Sequence, residues 1–370
     1  MRVYALVMLI AAVVTYLLMP LARWCALRWG AITAVRDRDV HAIPTPRLGG
    51  MAMFGGLLVA VLIASRLPFL SGLFDNPRPV IGIVGGAALV CALGVADDIW
   101  DLDWLTKLMG QVLAAGFLAW QGVLLYQLPI AGVLVGSTRT WVFVTVVSVV
   151  VAMNAVNFVD GLDGLAAGVL AIGGAAFFLY AYLLTRGTSQ GDYSSLAALV
   201  LAVLVGVCVG FLPHNAYPAR IFMGDSGSML LGFVMAAAAI VVTGQIDPKA
   251  VVDRVQFPAY VPILLPVAVL VLPLLDMGLA IVRRLLKGKS PFHPDRLHLH
   301  HRLLALGHSH RRAVLIMYVW TAVLAFGVAA LAVWSTTTVL VATGVGVLVA
   351  TLLTLGPLRG RTPTPVEASP

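Results

Sequence analysis

The densest chemistry in this chain lies at Asn154–Gly164, which reads Asn-Ala-Val-Asn-Phe-Val-Asp-Gly-Leu-Asp-Gly. Asn154, Asn157 and Asp160 recur every third residue and share one face if the preceding helix continues. Apolar runs flank the stretch at Trp141–Met153 and Leu165–Leu184. Two amides and two carboxylates beside membrane-length segments are costly unless they meet water, a cation or a polar ligand. The plain alternative is a polar turn between two helices, although an ordinary turn does not need four such groups in one run.

Three further clusters carry chemistry. Asp97-Asp98 are adjacent carboxylates, tolerated best beside a cation or with one of them protonated. They read either as a magnesium-phosphate neighbourhood or proton acceptor, or as an interfacial helix cap. Lys107 follows, placed to meet a phosphate or to snorkel to the interface. Gly224-Asp225-Ser226-Gly227 opens another apolar run. A carboxylate between glycines at a helix start suits a hard cation carrying phosphates, with free backbone N–H groups facing the anion; Asp225 as a simple N-cap is the alternative. Ser290–His301 reads Ser-Pro-Phe-His-Pro-Asp-Arg-Leu-His-Leu-His-His. Its His-x-His-His pattern suggests zinc, but cysteine ligands are absent and Arg283, Arg284, Lys287, Lys289, Arg296 and Arg302 surround it. A cationic loop attracts a diphosphate, which favours an anion clamp over a zinc site. A weaker signal is His41–Gly50, which ends in Arg47 and Gly49-Gly50. It reads as a loop over a nucleotide or as a proline-stiffened connection.

The elements that must position these groups are membrane helices. The chain is 61% hydrophobic and 11% charged, with a mean hydropathy of +0.99. That excludes an ordinary soluble domain and points to an all-α polytopic membrane protein. The net charge of +8 speaks to membrane orientation rather than to nucleic acid. Cys25, Cys91 and Cys208 form no disulfide or zinc pattern. About eleven spans are expected, near Val3–Ala22, Leu48–Ser65, Val80–Val95, Leu105–Leu124, Trp141–Phe158, Leu165–Leu184, Leu196–Leu212, Met229–Thr243, Tyr260–Val282, Ala313–Leu331 and Thr336–Leu355. Residues 1–356 read as one integral-membrane domain, and 357–370, rich in Pro, Thr and Ser, as a disordered tail. With the N-terminus outside, the inner loops and tail hold 17 of the 24 Lys and Arg, the bias expected of a cytoplasmic face. All eight histidines and eleven of the fifteen aspartates fall on that side. Carboxylates and amides suited to magnesium, cations suited to phosphate and an apolar groove for a lipid tail thus meet at one face, an inventory that fits phosphoryl transfer. A transporter is the rival class, but transporter charges lie near the midplane and often in repeated halves. Here they lie at one surface and no repeat is visible.

Asp97-Asp98, Asn154-x-x-Asn-x-x-Asp-Gly-Leu-Asp-Gly, Phe222-Met-Gly-Asp-Ser-Gly-Ser and Pro294-Asp-Arg-x-His-x-His-His occur in this order. Together they resemble the polyprenyl-phosphate N-acetylhexosamine-1-phosphate transferase family over nearly the whole chain. The run Ser290–Arg296 resembles the branch that makes polyprenyl-diphosphate-GlcNAc rather than the phospho-MurNAc-pentapeptide translocases. The resemblance implies a multi-pass enzyme of the bacterial plasma membrane with cytoplasmic catalytic loops. Its reaction would be Mg2+-dependent, with Mn2+ as a substitute. It would join GlcNAc-1-phosphate from UDP-GlcNAc to undecaprenyl or decaprenyl phosphate and release UMP, as the first lipid-linked step of an envelope polysaccharide. By the family pattern Asp225 would be the main metal ligand, with Asn157 near the ion. Asp163, Asn215 and Phe222 would hold the uridine, and Asp97 and Asp98 would act on the acceptor phosphate, with Asp160 a third catalytic candidate. Arg296, His298, His300 and His301 would bind the diphosphate or sugar, with Lys107 and Arg47 as further substrate-binding candidates. Another UDP-HexNAc donor and a homodimer stay open.

Overall fold

A computed structural model of the chain describes residues 1–33, 44–126, 128–129, 133–134, 137–188, 194–244, 261–288 and 299–356. It is almost wholly helical. The helices are α1 (Arg2–Trp29), α2 (Gly49–Ala64), α3 (Pro77–Trp100), α4 (Trp104–Trp120), α5 (Thr138–Val159), α6 (Leu165–Thr188) and α7 (Leu196–Asn215), followed by α8 (Gly224–Gly244), α9 (Val261–Val269), α10 (Val271–Leu286), α11 (Leu299–Ala305), α12 (His310–Ala330) and α13 (Thr336–Leu355). Two tiny antiparallel pairs are the exceptions to an all-α fold: Ile32–Thr33 with Thr45–Pro46, and Leu128–Pro129 with Val133–Leu134.

Local chemistry sets the helix ends. Asn76 caps α3 with Pro77 at its first position, and Asp103 accepts from the Leu105 and Thr106 amides to cap α4. Ser137, Ser195 and Ser335 cap α5, α7 and α13 through their hydroxyls. Each supplies an oxygen to backbone N–H groups that have no partner within the helix. α1 stops at Gly30, whose φ of 74° is open to glycine at little cost.

Eight described helices are long and apolar enough to cross a membrane, or nine when α9 and α10 count as one bent span. Eleven were expected. The two that fall short are α2, with 16 residues, and α4, with 17; at 1.5 Å per residue each covers only about 25 Å. The expected straight span Tyr260–Val282 is also corrected. It is broken at Leu270, where α9 and α10 meet at 70°. Pro273 explains the break: it lacks an N–H, and its ring would collide with the carbonyl four residues back, at Val269.

The bundle is layered around α7 and α8, which are mostly buried, whereas α13 faces outward. α1 packs on α2 and α7, α6 on α7, and α3 and α5 on α8. Chain direction alternates, so that the starts of α2, α4, α6, α8 and α12 and the ends of α1, α3, α5 and α7 share one end of the bundle. The amino terminus lies at the other end, against Tyr182 near the close of α6. Exposed tryptophans mark both ends: Trp24, Trp29, Trp100 and Trp104 at the first, Trp120 and Trp334 at the second. Tryptophan favours membrane–water interfaces, so this is a multi-pass membrane protein with its polar end at an interface.

Candidate functional site

At that end the ends of α3 and α5 and the starts of α4 and α8 converge on a cleft of acidic side chains. Lys107, in the first turn of α4, sits between two of them. Its Nζ is 2.6 Å from Asp97 Oδ2 and 2.8 Å from Asp225 Oδ2. Asp97 Oδ1 accepts from the Leu102 amide at 2.9 Å, which turns its other oxygen toward the lysine. Asn157 Nδ2 donates to Asp225 Oδ1 at 3.0 Å and to Ser228 Oγ at 2.9 Å. With its NH2 engaged there, the Asn157 carbonyl oxygen is turned elsewhere.

Asp98 lies differently. Its Oδ1 accepts from the Asp225 amide at 2.9 Å and its Oδ2 from the Ser226 amide at 3.1 Å. The N–H groups at the start of α8, expected to face a bound anion, instead face this carboxylate of the protein itself. Close packing makes that reach possible. A Cβ on Gly94 would stand 2.3 Å from Ser226 Cα, and one on Gly50 would stand 2.2 Å from Gly227 N.

Asp160 closes α5 and is half-buried, with Arg47 as its neighbouring cation. Burial, and then the charges of Asp225 and Asp98, push its carboxyl up to about 8. Among the described residues no hydrogen bond to that carboxylate is present. Asp163 and Asn215 are deeper, 4% and 2% exposed. Asp163 Oδ2 accepts from the Ala219 amide at 2.9 Å. Asn215 accepts from the Gly164 amide at 2.9 Å and donates to the Ile221 carbonyl at 3.0 Å. The pair braces the α5–α6 turn against the α7–α8 connection. Phe222 is half-buried in that connection, and its backbone is held by Pro46 and Gly49.

Arg296 and His298 lie outside the described residues, as do His41 and the side chain of His300. His301 lies half-buried on α11. Three other histidines are taken up by packing: His214 on Tyr16, His310 on Tyr217 and His308 at the Thr354 carbonyl. Asn154 turns from the cleft to donate to Gln111 Oε1 at 2.7 Å.

Two residues of this neighbourhood, Gln111 and Asp276, were not singled out from sequence. Gln111 links Asn154 to Met229; its spacing of four from Lys107 was the available signal. Asp276, 1% exposed on α10, accepts from the Leu299 amide at 2.8 Å and so holds the start of α11. Arg284, also buried, lies 5.6 Å over the Phe158 ring. Asp276, Ala280 and Arg284 recur every four residues and form the buried stripe of α10, while Leu275, Leu279 and Val282 point outward.

Does this donor set suit a divalent cation? Among the described residues no three carboxylate, imidazole or thiol groups stand close enough to hold an ion alone. Mg2+ is usually held by one or two carboxylates together with waters and substrate phosphates, so three are not required. Asp97, Asp98, Asp160, Asp163 and Asp225 outnumber the cations Lys107, Arg47 and Arg284, and a lysine ammonium already bridges Asp97 and Asp225. Hard oxygen donors with surplus negative charge fit a cation that arrives with phosphates. Away from the cleft, toward the opposite end of the bundle, a mostly apolar cavity of ≈ 260 Å³ opens between α5, α8, α9 and α10, lined by Val151, Ala239, Ile263, Pro266, Leu270 and Leu274.

Fold and cleft together define a multi-pass helical membrane protein with a cluster of acidic side chains at one interface. The sequence pattern of glycosyl transferase family 4 matches residues 80–243. A decaprenyl-phosphate N-acetylglucosaminephosphotransferase of Mycolicibacterium smegmatis is 45% identical, over 98% of this chain and 90% of its own length. A probable undecaprenyl-phosphate N-acetylglucosaminyl 1-phosphate transferase of Bacillus subtilis is 29% identical, over 84% of this chain and 80% of its own. A phospho-N-acetylmuramoyl-pentapeptide-transferase of Desulforudis audaxviator is 32% identical, over 80% and 86%. The chain belongs to glycosyl transferase family 4.

Proposed function

We propose that this protein transfers GlcNAc-1-phosphate from UDP-GlcNAc to a membrane polyprenyl phosphate and releases UMP. The observation that carries the reading is the meeting of Asp97, Lys107, Asn157, Asp160 and Asp225 at one bundle end, in a chain 45% identical over almost its whole length to a decaprenyl-phosphate GlcNAc phosphotransferase. An oxygen of the acceptor phosphate attacks the β-phosphorus of the donor. The new P–O bond forms as the bond to the bridging oxygen breaks, and UMP carries away that oxygen.

Asp225, with Asn157 near the ion, would hold the magnesium ion. When bound, the ion supplies charge neutralisation to the diphosphate; Mn2+ suits the same donors. Lys107 offers its ammonium to a phosphate, and Asp97 orients that ammonium. Asp160 and Arg47 border the place where the phosphates meet. The Phe222 ring stacks on the uracil, with Asp163 and Asn215 acting through the connection they brace. His301, with Arg296, His298 and His300, holds the diphosphate or sugar. A phosphate monoester, with its second pKa about 6, is largely ionised at neutral pH, so placement of charge outweighs removal of a proton. The apolar cavity beside α9 and α10 takes part of the isoprenoid. The site faces the cytoplasm, as the Lys and Arg bias of the loops supports.

The deciding experiment is mass analysis of the lipid product from purified protein supplied with polyprenyl phosphate, Mg2+ and labelled UDP-GlcNAc. UDP-GalNAc and UDP-MurNAc-pentapeptide serve as parallel donors, the latter because of the 32% identity to a pentapeptide transferase. The expected product is polyprenyl-diphosphate-GlcNAc with release of UMP and no need for an ion gradient. Asp225→Asn reduces turnover to background; wild-type UMP release from that variant would remove Asp225 from the metal site.

A further inference from the structure

We propose that Asp98 is a positioning residue. Its carboxylate fastens the first turn of α8, and so fixes where the Asp225 side chain stands, instead of touching the acceptor phosphate. This rests on the reading of Asp225 as the group that holds the metal.

Both Asp98 oxygens are committed to α8: one accepts from the Asp225 amide at 2.9 Å, the other from the Ser226 amide at 3.1 Å. These are two of the N–H groups that a helix start leaves without partners, and a carboxylate there also meets the positive end of the helix dipole. Asp98 is only 8% exposed. The shorter of its bonds comes from Asp225 itself, whose carboxylate is held on the other side by Lys107 at 2.8 Å and Asn157 at 3.0 Å. Asp225 is therefore gripped twice, by its main chain and by its side chain.

The packing is built for this contact. Gly224 opens α8 at φ +69°, and a Cβ there would lie 2.3 Å from Asp98 Oδ2. Gly94, one turn before Asp98 on α3, would collide with Ser226 Cα if it carried a Cβ. Neighbours in sequence lie about 100° apart around a helix, so Asp97 and Asp98 cannot face the same way. Asp97 turns to Lys107 in the cleft and Asp98 to the backbone of α8. The adjacent acids divide the work: one serves the cleft, the other sets the element that carries its metal-binding group.

The test uses the full chain in detergent, with Mn2+ alone as the metal probe, read by EPR titration. Asp98→Ala weakens Mn2+ binding roughly 10- to 100-fold, the scale seen when a group orienting a ligand is removed. Its KM for polyprenyl phosphate stays within about two-fold of wild type, since no acceptor contact is lost. Amide exchange at Asp225 and Ser226 accelerates, while α6 keeps wild-type protection. Asp98→Asn keeps a carbonyl oxygen and the side-chain volume; it falls between wild type and alanine in all three readouts, and it carries the test if the alanine variant does not fold. A raised acceptor KM with unchanged Mn2+ affinity and unchanged exchange overturns the proposal, as does wild-type exchange at both amides in either variant. If the wild type itself binds no Mn2+, the metal assignment of Asp225 fails, and exchange alone decides whether Asp98 holds α8.

Discussion

Asp160 is the residue on which pH should act most directly. Its carboxyl is pushed up to about 8, first by burial and then by the charges of Asp225 and Asp98. A carboxyl raised in this way is mostly neutral at pH 7 in the metal-free protein, and a cation must expel its proton before the oxygens can help to attract it. Divalent-cation affinity should therefore climb as pH rises toward about 8 and level off above it; Mn2+ titrations between pH 6 and 9 check this, and Asp160→Asn should flatten the curve. The linked stability has the opposite slope. The folded pKa lies above the ordinary value of 3.8, so the contribution of Asp160 to metal-free stability is intact below 3.8 and is lost as pH rises through about 8. Much of this scale was legible in the sequence, because Asp97, Asp98, Asn157, Asp160 and Asp225 are polar groups in apolar surroundings that cannot be borne without partners. Their division of labour was not legible, since Asp97 and Asp98 are the same residue type and only their angular placement separates them.

Among the elements, the contact between α3 and α8 decides whether the cleft forms. A methyl group on Gly94 would meet the Ser226 backbone, which cannot swing aside as a side chain can. Gly94→Ala should destabilise the protein by about 1–3 kcal/mol, the usual cost of overpacking, and should raise the Mn2+ dissociation constant. Gly116→Ala on α4 is the control: nothing lies within 4 Å of its added carbon, and it should be neutral or slightly stabilising because alanine favours the helix. Thermal unfolding in detergent measures both, and equal behaviour of the two variants would refute the argument. The helices themselves were readable from apolar length. The break at Leu270 was missed, although Pro266 and Pro273 were in view, because proline is common in membrane helices and only tertiary packing shows which one breaks its span. Asp276 and Gln111 escaped notice for a related reason. A single polar residue in an apolar run looks tolerated until its partner, here Leu299 or Asn154, is brought to it.

For the whole molecule, the alternating bundle gathers the polar helix ends on one side and leaves the amino terminus on the other. With that polar side in the cytoplasm, a cysteine placed at exposed Asp101 should react in intact cells only with membrane-permeant maleimides, and one at exposed Trp334 with impermeant ones as well. The reverse pattern would invert the proposed orientation. The number of crossings could not be read from sequence, since α2 and α4 are too short to pass a length rule and are carried by their neighbours.

Trp24, Trp29, Trp100 and Trp104 are exposed at the bundle end where Asp97 and Lys107 meet. Aromatic belts settle among lipid headgroups, so a lipid phosphate already travels at the depth of the cleft. Such an acceptor reaches the protein by lateral diffusion without leaving its leaflet. Its supply is then counted per unit area: diluting it with inert detergent or lipid slows the reaction even when its amount per litre is unchanged.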